Sequence, residues 1–174
     1  MSLARGLLDG EVAICQQVFG ATLPTVFLRS KVMLKNGLGA GGRPFTSIDV
    51  GIARYHIFIG PRAFDQSAVG TLEYQATLVH EMTHVWQMHN SSWFGAVWFD
   101  SLKTQGCRQG NAYVYGEGNL NKPWDDFGVE EQAQIVEDWY KNGRRSTDPR
   151  FHYIRDNIRG GKAGFVTDIP GGSA

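Results

Sequence analysis

The chain has 174 residues, of which 42% are hydrophobic and 20% charged, with equal numbers of acidic and basic side chains. This composition is typical of a globular domain and excludes a disordered chain. The balanced charge provides no excess of basic residues to bind nucleic acid or an anionic membrane surface. The sequence contains no run of about 18 apolar residues, so no membrane span is predicted. Cys15 and Cys107 are too few for a disulfide scaffold; we expect two buried thiols, with a single bridge as the alternative.

The first half of the chain predicts one helix and two strands. Asp9 begins a helix that Gly20 closes, with apolar residues at helical spacing between them. Residues 25–34 and 52–59 are rich in β-branched and aromatic side chains and predict strands. The glycine-rich residues between them lack a P-loop motif and predict a surface loop. His56, in the second strand, is expected to be structural.

The stretch His80-Glu81-x-x-His84 carries the strongest chemical signal. Residues four apart on a helix share a face, so both imidazoles can reach one metal ion. Glu81 lies beside them, where it can hold a metal-bound water without being a ligand. Thr71 is the expected N-cap, and apolar neighbours, Leu72 among them, predict a half-buried helix with a polar front. The alternative is a surface helix with two unrelated histidines.

A further helix is predicted after Asp125 and Asp126, which can cap it. A catalytic zinc site with two histidines needs a third protein ligand, and a helix-borne glutamate downstream fits this role. Glu130 lies beside the apolar stripe of this helix and is favoured. Glu131 stays open as the alternative, since a first-turn glutamate often only compensates the helix dipole.

Aromatic residues 92–102, with Trp93, Phe94 and Trp98, predict a core or groove wall, and a partner surface is the alternative. Tyr113 and Tyr115 alternate in a short strand-like piece, and a tyrosine hydroxyl here can donate to an oxyanion. We expect one domain over residues 4–160, closed by a last helix after Asp148-Pro149, and a flexible tail over residues 161–174.

Four blocks of the chain together resemble one protein family. The blocks are Gly10-Glu11-Val12-Ala13 with Val18-Phe19-Gly20, His56-Ile57-Phe58-Ile59, His80-Glu81-Met82-Thr83-His84-Val85-Trp86-Gln87, and Phe127-Gly128-Val129-Glu130-Glu131-Gln132-Ala133. With them the chain resembles the bacterial Vgr-related proteins, small zincin-like domains associated with contractile type VI secretion spikes. The family pattern has its first glutamate at Glu130 and commonly a glutamine at Glu131, which favours Glu130 as the third, gluzincin-type ligand.

The resemblance implies an α+β fold, a zincin-like metallopeptidase domain with a small, mostly antiparallel sheet and an HExxH active-site helix. It also implies that the strand before that helix forms a sheet edge over the cleft, where an extended peptide can pair. The expected location is cytoplasmic, because no secretory signal peptide is recognisable before Asp9 and Glu11, with export by a contractile secretion system as the alternative.

The predicted function is hydrolysis of peptide bonds by a zinc-dependent metallopeptidase. His80, His84 and Glu130 would hold Zn²⁺, Glu81 would act as general base on the activated water, and Tyr115 would stabilise the oxyanion. The expected partners are a peptide or protein substrate and a secretion-spike protein. Two alternatives remain: a non-catalytic zinc-containing adaptor or assembly domain of the spike, and a hydrolase of peptidoglycan cross-links.

Overall fold

The computed structural model describes residues 3–91 and 115–164, and within these ranges the chain forms six α-helices and a four-stranded sheet. The helices are α1 (Asp9–Phe19), α2 (Thr25–Lys31), α3 (Pro61–Asp65), α4 (Leu72–Asn90), α5 (Val129–Lys141) and α6 (Phe151–Tyr153), which continues as a π-helical segment, Ile154–Ile158. The strands are β1 (Ala4–Gly6), β2 (Val32–Lys35), β3 (Phe45–Asp49) and β4 (Arg54–Phe58). The predicted α+β class is confirmed.

The sheet is mixed, with the strand order β1-β2-β4-β3. β4 runs parallel to β2 and antiparallel to β3, and β1 is antiparallel to β2. The sheet is therefore antiparallel except at its central pairing. The expectation that β4 forms a sheet edge is wrong, because β3, which the sequence did not predict, pairs along its outer side. In the part of the chain that the structure describes, β3 has β4 as its sheet partner.

Residues 25–31 form helix α2 instead of the predicted strand. The helix begins after Pro24, the N-cap residue, which is extended, and it buries Leu28 completely. Only Val32–Lys35 remain extended. β-branched residues favour strands mainly because they fit a half-buried pleated surface, so the packing of Leu28 into the core decides the local structure.

Helix α4 is the central element of the fold, and the prediction of a half-buried helix with a polar front is wrong. The Thr71 hydroxyl caps it as predicted, accepting from the Tyr74 amide at 3.2 Å. Leu72 is exposed, whereas every residue from Leu78 to Met88 is buried. The reason is that α4 packs against α5, α1 and β3 on different sides. Polar residues of this helix therefore need partners inside the protein.

The buried carboxylate of Glu11 in α1 joins three parts of the chain. It forms a bidentate pair with Arg5 of β1, at 2.7 and 2.8 Å. The same oxygens accept from the backbone amides of Leu8 at 2.8 Å and Ala68 at 2.9 Å. Burial acts to raise the pKa of Glu11, but Arg5 and the two amides hold it below the ordinary value of 4.5. Glu11 therefore ties β1, α1 and the segment after α3 together.

We expect Glu11→Gln to lower the free energy of unfolding by about 3–5 kcal/mol at pH 7, because it removes the negative charge that Arg5 pairs with and turns a buried amide NH₂ toward hydrogen-bond donors. Since the folded-state pKa of Glu11 is depressed, this contribution is present above pH 4.5 and is lost as the pH falls through the folded-state value. Urea unfolding at a series of pH values measures both effects. The control is Asp9→Asn, which removes an exposed pair with Arg29 and should cost less than about 1 kcal/mol. Equal losses in the two variants would contradict the prediction.

Among the described helices, none is by itself long and apolar enough to cross a membrane. The helical stretches Asp9–Thr22 and Thr25–Lys31 reach that length and composition only together, and they are bent by 118° relative to each other.

Candidate metal centre

The two histidines of α4 converge with one glutamate of α5. His80 and His84 are one helical turn apart, with ring centroids separated by 5.0 Å. Glu130 lies in the first turn of α5, and its Oε2 atom is 3.3 Å from Nε2 of His80 and 3.3 Å from Nε2 of His84. The three potential ligand atoms all lie within 4.8 Å of one another. The side chain of Glu130 is 27% exposed, so solvent reaches the cluster from this side.

The two adjacent glutamates of α5 have different contacts. Oε2 of Glu131 accepts a hydrogen bond from the backbone amide of Gly128 at 2.9 Å, so this side chain caps its own helix. Glu130 instead faces the two histidines. Of the two candidate ligands that the sequence left open, the structure brings only Glu130 to the imidazoles.

Each imidazole is held from behind by a second residue that the sequence analysis missed. Nδ1 of His80 lies 2.9 Å from Oε2 of Glu137, whose other oxygen accepts from Lys141. Nδ1 of His84 lies 2.9 Å from Oε1 of Gln87. Glu137 is seven residues after Glu130 on α5, which places both carboxylates on the same helix face; this spacing was the available signal. Partners of this kind fix the ring orientation of metal-binding histidines.

Glu81 is buried beside the cluster and is held by strand β3. The Thr46 hydroxyl lies 2.8 Å from Oε2 of Glu81 and 3.0 Å from the Glu81 carbonyl oxygen. Burial raises the pKa of Glu81, while His84, His80 and the Thr46 hydrogen bond act in the opposite direction. No sequence pattern pointed to Thr46, because its contact with Glu81 joins positions 35 residues apart.

The pKa shifts in the cluster favour a positive charge between the imidazoles and the carboxylates. Burial alone would lower the pKa of His80, but hydrogen bonds with Glu130 and Glu137 raise it to about 10. Burial likewise acts to lower the pKa of His84, and Glu130 raises it. Burial acts to raise the pKa of Glu130, whereas the two histidines hold it far below its ordinary value. A bound cation or added protons can satisfy this arrangement.

The donor set suits a zinc ion. Zinc binds imidazole nitrogen and carboxylate oxygen at about 2.0–2.2 Å, so tetrahedral geometry places such donors roughly 3.4 Å apart. Both distances from Nε2 to Oε2 of Glu130 are 3.3 Å. Two imidazoles and one carboxylate leave the fourth position of a tetrahedral ion open, as in catalytic zinc sites.

The remaining predicted site residues lie elsewhere or outside the described ranges. Tyr115 is buried, and its hydroxyl donates to Asp138 at 2.7 Å and accepts from Arg150 at 2.7 Å. A role at an oxyanion would require release of the hydrogen bond to Asp138, and this role stays a prediction. His56 lies in β4 opposite Ser47. The predicted aromatic wall and neighbouring tyrosine, together with the second cysteine and most of the tail, lie outside the described residues: Trp93, Phe94, Trp98, Tyr113, Cys107 and residues 165–174.

Comparison with known proteins gives one informative similarity. No protein-family model matches the chain, and no solved structure matches it. The chain is 30% identical over 168 residues to the type VI secretion system spike protein VgrG2b of Pseudomonas aeruginosa. The alignment covers 88% of this chain but 15% of the spike protein, so the chain spans less than a sixth of that relative's length. The chain is thus similar to one segment of a type VI secretion spike protein.

Proposed function

We propose that this chain is a zinc-dependent metallopeptidase domain with a zincin-like fold. The observation that carries the proposal is the convergence of His80 and His84 on Glu130, with Glu81 buried next to both histidines. His80, His84 and Glu130 would hold the ion, which is the gluzincin-type ligand set. A purely structural zinc site usually fills its fourth position with protein and has no need of an adjacent general base.

The chemistry divides between the ion and the chain. When bound, zinc is a Lewis acid that lowers the pKa of a coordinated water to about 7 and polarises a substrate carbonyl. Glu81 takes the proton from the attacking water and delivers it to the leaving amide nitrogen. Thr46 holds one oxygen of Glu81, and the other oxygen would accept the proton of the water. Burial of Glu81 raises its pKa toward working pH, which suits a residue that both accepts and donates a proton.

A second candidate function is a non-catalytic, zinc-containing adaptor or assembly domain of a type VI secretion spike. The similarity to a spike protein favours an association with such a spike in either case. The two functions differ in their need for Glu81: an adaptor requires the fold and the ion, whereas a peptidase also requires the proton transfer.

The experiment incubates the zinc-loaded protein with a peptide library, with denatured protein and with purified peptidoglycan, and mass spectrometry identifies new termini. Release of peptide N-termini that stops on chelation and returns with zinc supports the metallopeptidase. Cleavage of peptidoglycan cross-links alone would replace it by the third function predicted above. Zinc binding without cleavage of any substrate, together with binding to a spike protein, would favour the adaptor.

Zinc should also stabilise the folded chain, because the ligands come from two helices that meet only in the native state. At a free zinc concentration of about 100 times Kd, the free energy of unfolding should rise by about 2.7 kcal/mol. Urea unfolding with zinc or with a chelator measures this difference. A zinc-independent midpoint would contradict the proposed centre.

A further inference from the structure

We infer that Gln132 is a positioning residue that sets the tautomer of His84 through Gln87, and so turns the Nε2 lone pair of His84 toward the metal position. The inference deepens the proposed function and rests on it for the identity of the ion. It depends on a chain of hydrogen bonds in which each amide has only one acceptable orientation.

The orientation of Gln132 is fixed by backbone carbonyls. Its side-chain nitrogen lies 3.0 Å from the carbonyl oxygen of Trp124 and 3.3 Å from that of Phe127. A carbonyl oxygen only accepts hydrogen bonds, so the amide nitrogen must face this pair. The side-chain oxygen of Gln132 therefore faces the opposite way, toward Gln87.

The orientation of Gln87 follows from two acceptors. Its side-chain nitrogen lies 2.8 Å from Oε1 of Gln132 and 3.0 Å from the backbone oxygen of Val129. Because both hydrogens of this amide are used, Oε1 of Gln87 must face His84, where it lies 2.9 Å from Nδ1. An acceptor at this position requires that Nδ1 carry the proton. Nε2 of His84 then presents its lone pair on the side of Glu130.

Burial makes the chain of hydrogen bonds obligatory. Gln132 is fully buried and Gln87 is 4% exposed, so water does not readily replace a missing partner. Rotating either amide by half a turn would place its oxygen against oxygen atoms that only accept hydrogen bonds. The backbone carbonyls of Trp124 and Phe127 thus fix the orientation of the Gln132 amide, which in turn fixes that of Gln87 on α4.

The two histidines receive the same tautomer from partners of different charge. Glu137, a carboxylate, accepts from His80, whereas the neutral amide of Gln87 accepts from His84. Glu81, Glu130 and Glu137 already place three carboxylates around the cluster. The neutral amides of Gln132 and Gln87 orient the imidazole of His84 without adding a fourth negative charge.

Imidazole ¹⁵N spectra of the zinc-loaded wild-type protein test the tautomer directly. We expect Nδ1 of His84 to carry a proton and Nε2 to show the shift of a metal-bound nitrogen. Metal at Nδ1, or a proton on Nε2, would overturn the inference. A wild type that binds no zinc would contradict the proposed function. The inference about His84 can then still be tested on the zinc-free protein, at a pH where His84 is neutral. A proton on Nε2 in that spectrum would overturn the inference.

Substitution separates orientation from packing. Gln132→Met keeps the volume but removes the hydrogen bond to Gln87, and we expect its zinc affinity, measured by chelator competition, to fall about 10–100-fold. The absorption spectrum of the cobalt-substituted variant should also change, because His84 is no longer held. The matched control is Gln134→Met on the same helix, whose amide contacts Asp138; its zinc affinity should change less than about two-fold. A folded Gln132→Met variant with wild-type affinity and spectrum would overturn the inference, and the ¹⁵N measurement decides it if this variant does not fold.

Discussion

Glu81→Gln is expected to lower kcat for peptide hydrolysis by about 10²–10⁴-fold, the contribution typical of a positioned general base. The amide keeps the size of the side chain and can still accept from Thr46, but it cannot take a proton from water. Since Glu81 is not one of the three converging ligands, the zinc content should stay at one ion per chain. Steady-state kinetics and metal analysis of the same preparation measure the two quantities.

The matched control for this substitution is Glu73→Gln, an exposed glutamate in the first turn of the same helix. It removes one exposed carboxylate about two helical turns before His80, so kcat and zinc content should remain those of the wild type. If Glu81→Gln retained full activity with zinc bound, Glu81 would not be the general base. Loss of zinc in Glu81→Gln would instead assign it a role in holding the ion.

Glu130→Gln is expected to weaken zinc binding by more than the roughly 100-fold that removal of a supporting partner produces, because it removes one of the proposed ligands itself. The neutral amide is a weaker zinc ligand than a carboxylate. The substitution also removes the negative charge that lies between the imidazoles of His80 and His84. Chelator competition measures the affinity. Peptide hydrolysis should fall in parallel at zinc concentrations that saturate the wild type.

The adjacent glutamate offers a paired control. Glu131→Gln keeps the side chain at the start of α5, where it accepts from Gly128, so zinc affinity should be unchanged. Only stability should respond, by about 1 kcal/mol or less, because the amide interacts less favourably with the helix N-terminus than a carboxylate does. The reverse ranking, with Glu131→Gln losing zinc and Glu130→Gln retaining it, would exclude the proposed ligand set.

The helices could be predicted where a local pattern specified them. The Thr71 cap and the apolar spacing located α4, and Asp9 and Gly20 are the first residue and the C-cap of α1. These features are local because capping and the 3.6-residue period involve neighbours in the sequence. The prediction of a strand over residues 25–31 is wrong because it relied on local β propensity, whereas the burial of Leu28 in the core favours the helix.

The candidate site was likewise only partly predictable from the sequence. The sequence by itself determined that His80 and His84 share one face of a helix with Glu81 between them, because residues four apart on a helix lie one above the other. It did not determine which downstream glutamate reaches them; Glu131 turns back to cap α5 and Glu130 does not, and only the packing of α5 along α4 decides this. Likewise Thr46, Glu137 and Gln132 became partners of the site only when β3, α4 and α5 came together. Contacts between distant segments carry no periodic signal, so only the tertiary structure brought Thr46 to Glu81 and Glu137 to His80, whereas Gln87 lies three residues after His84 on the same helix.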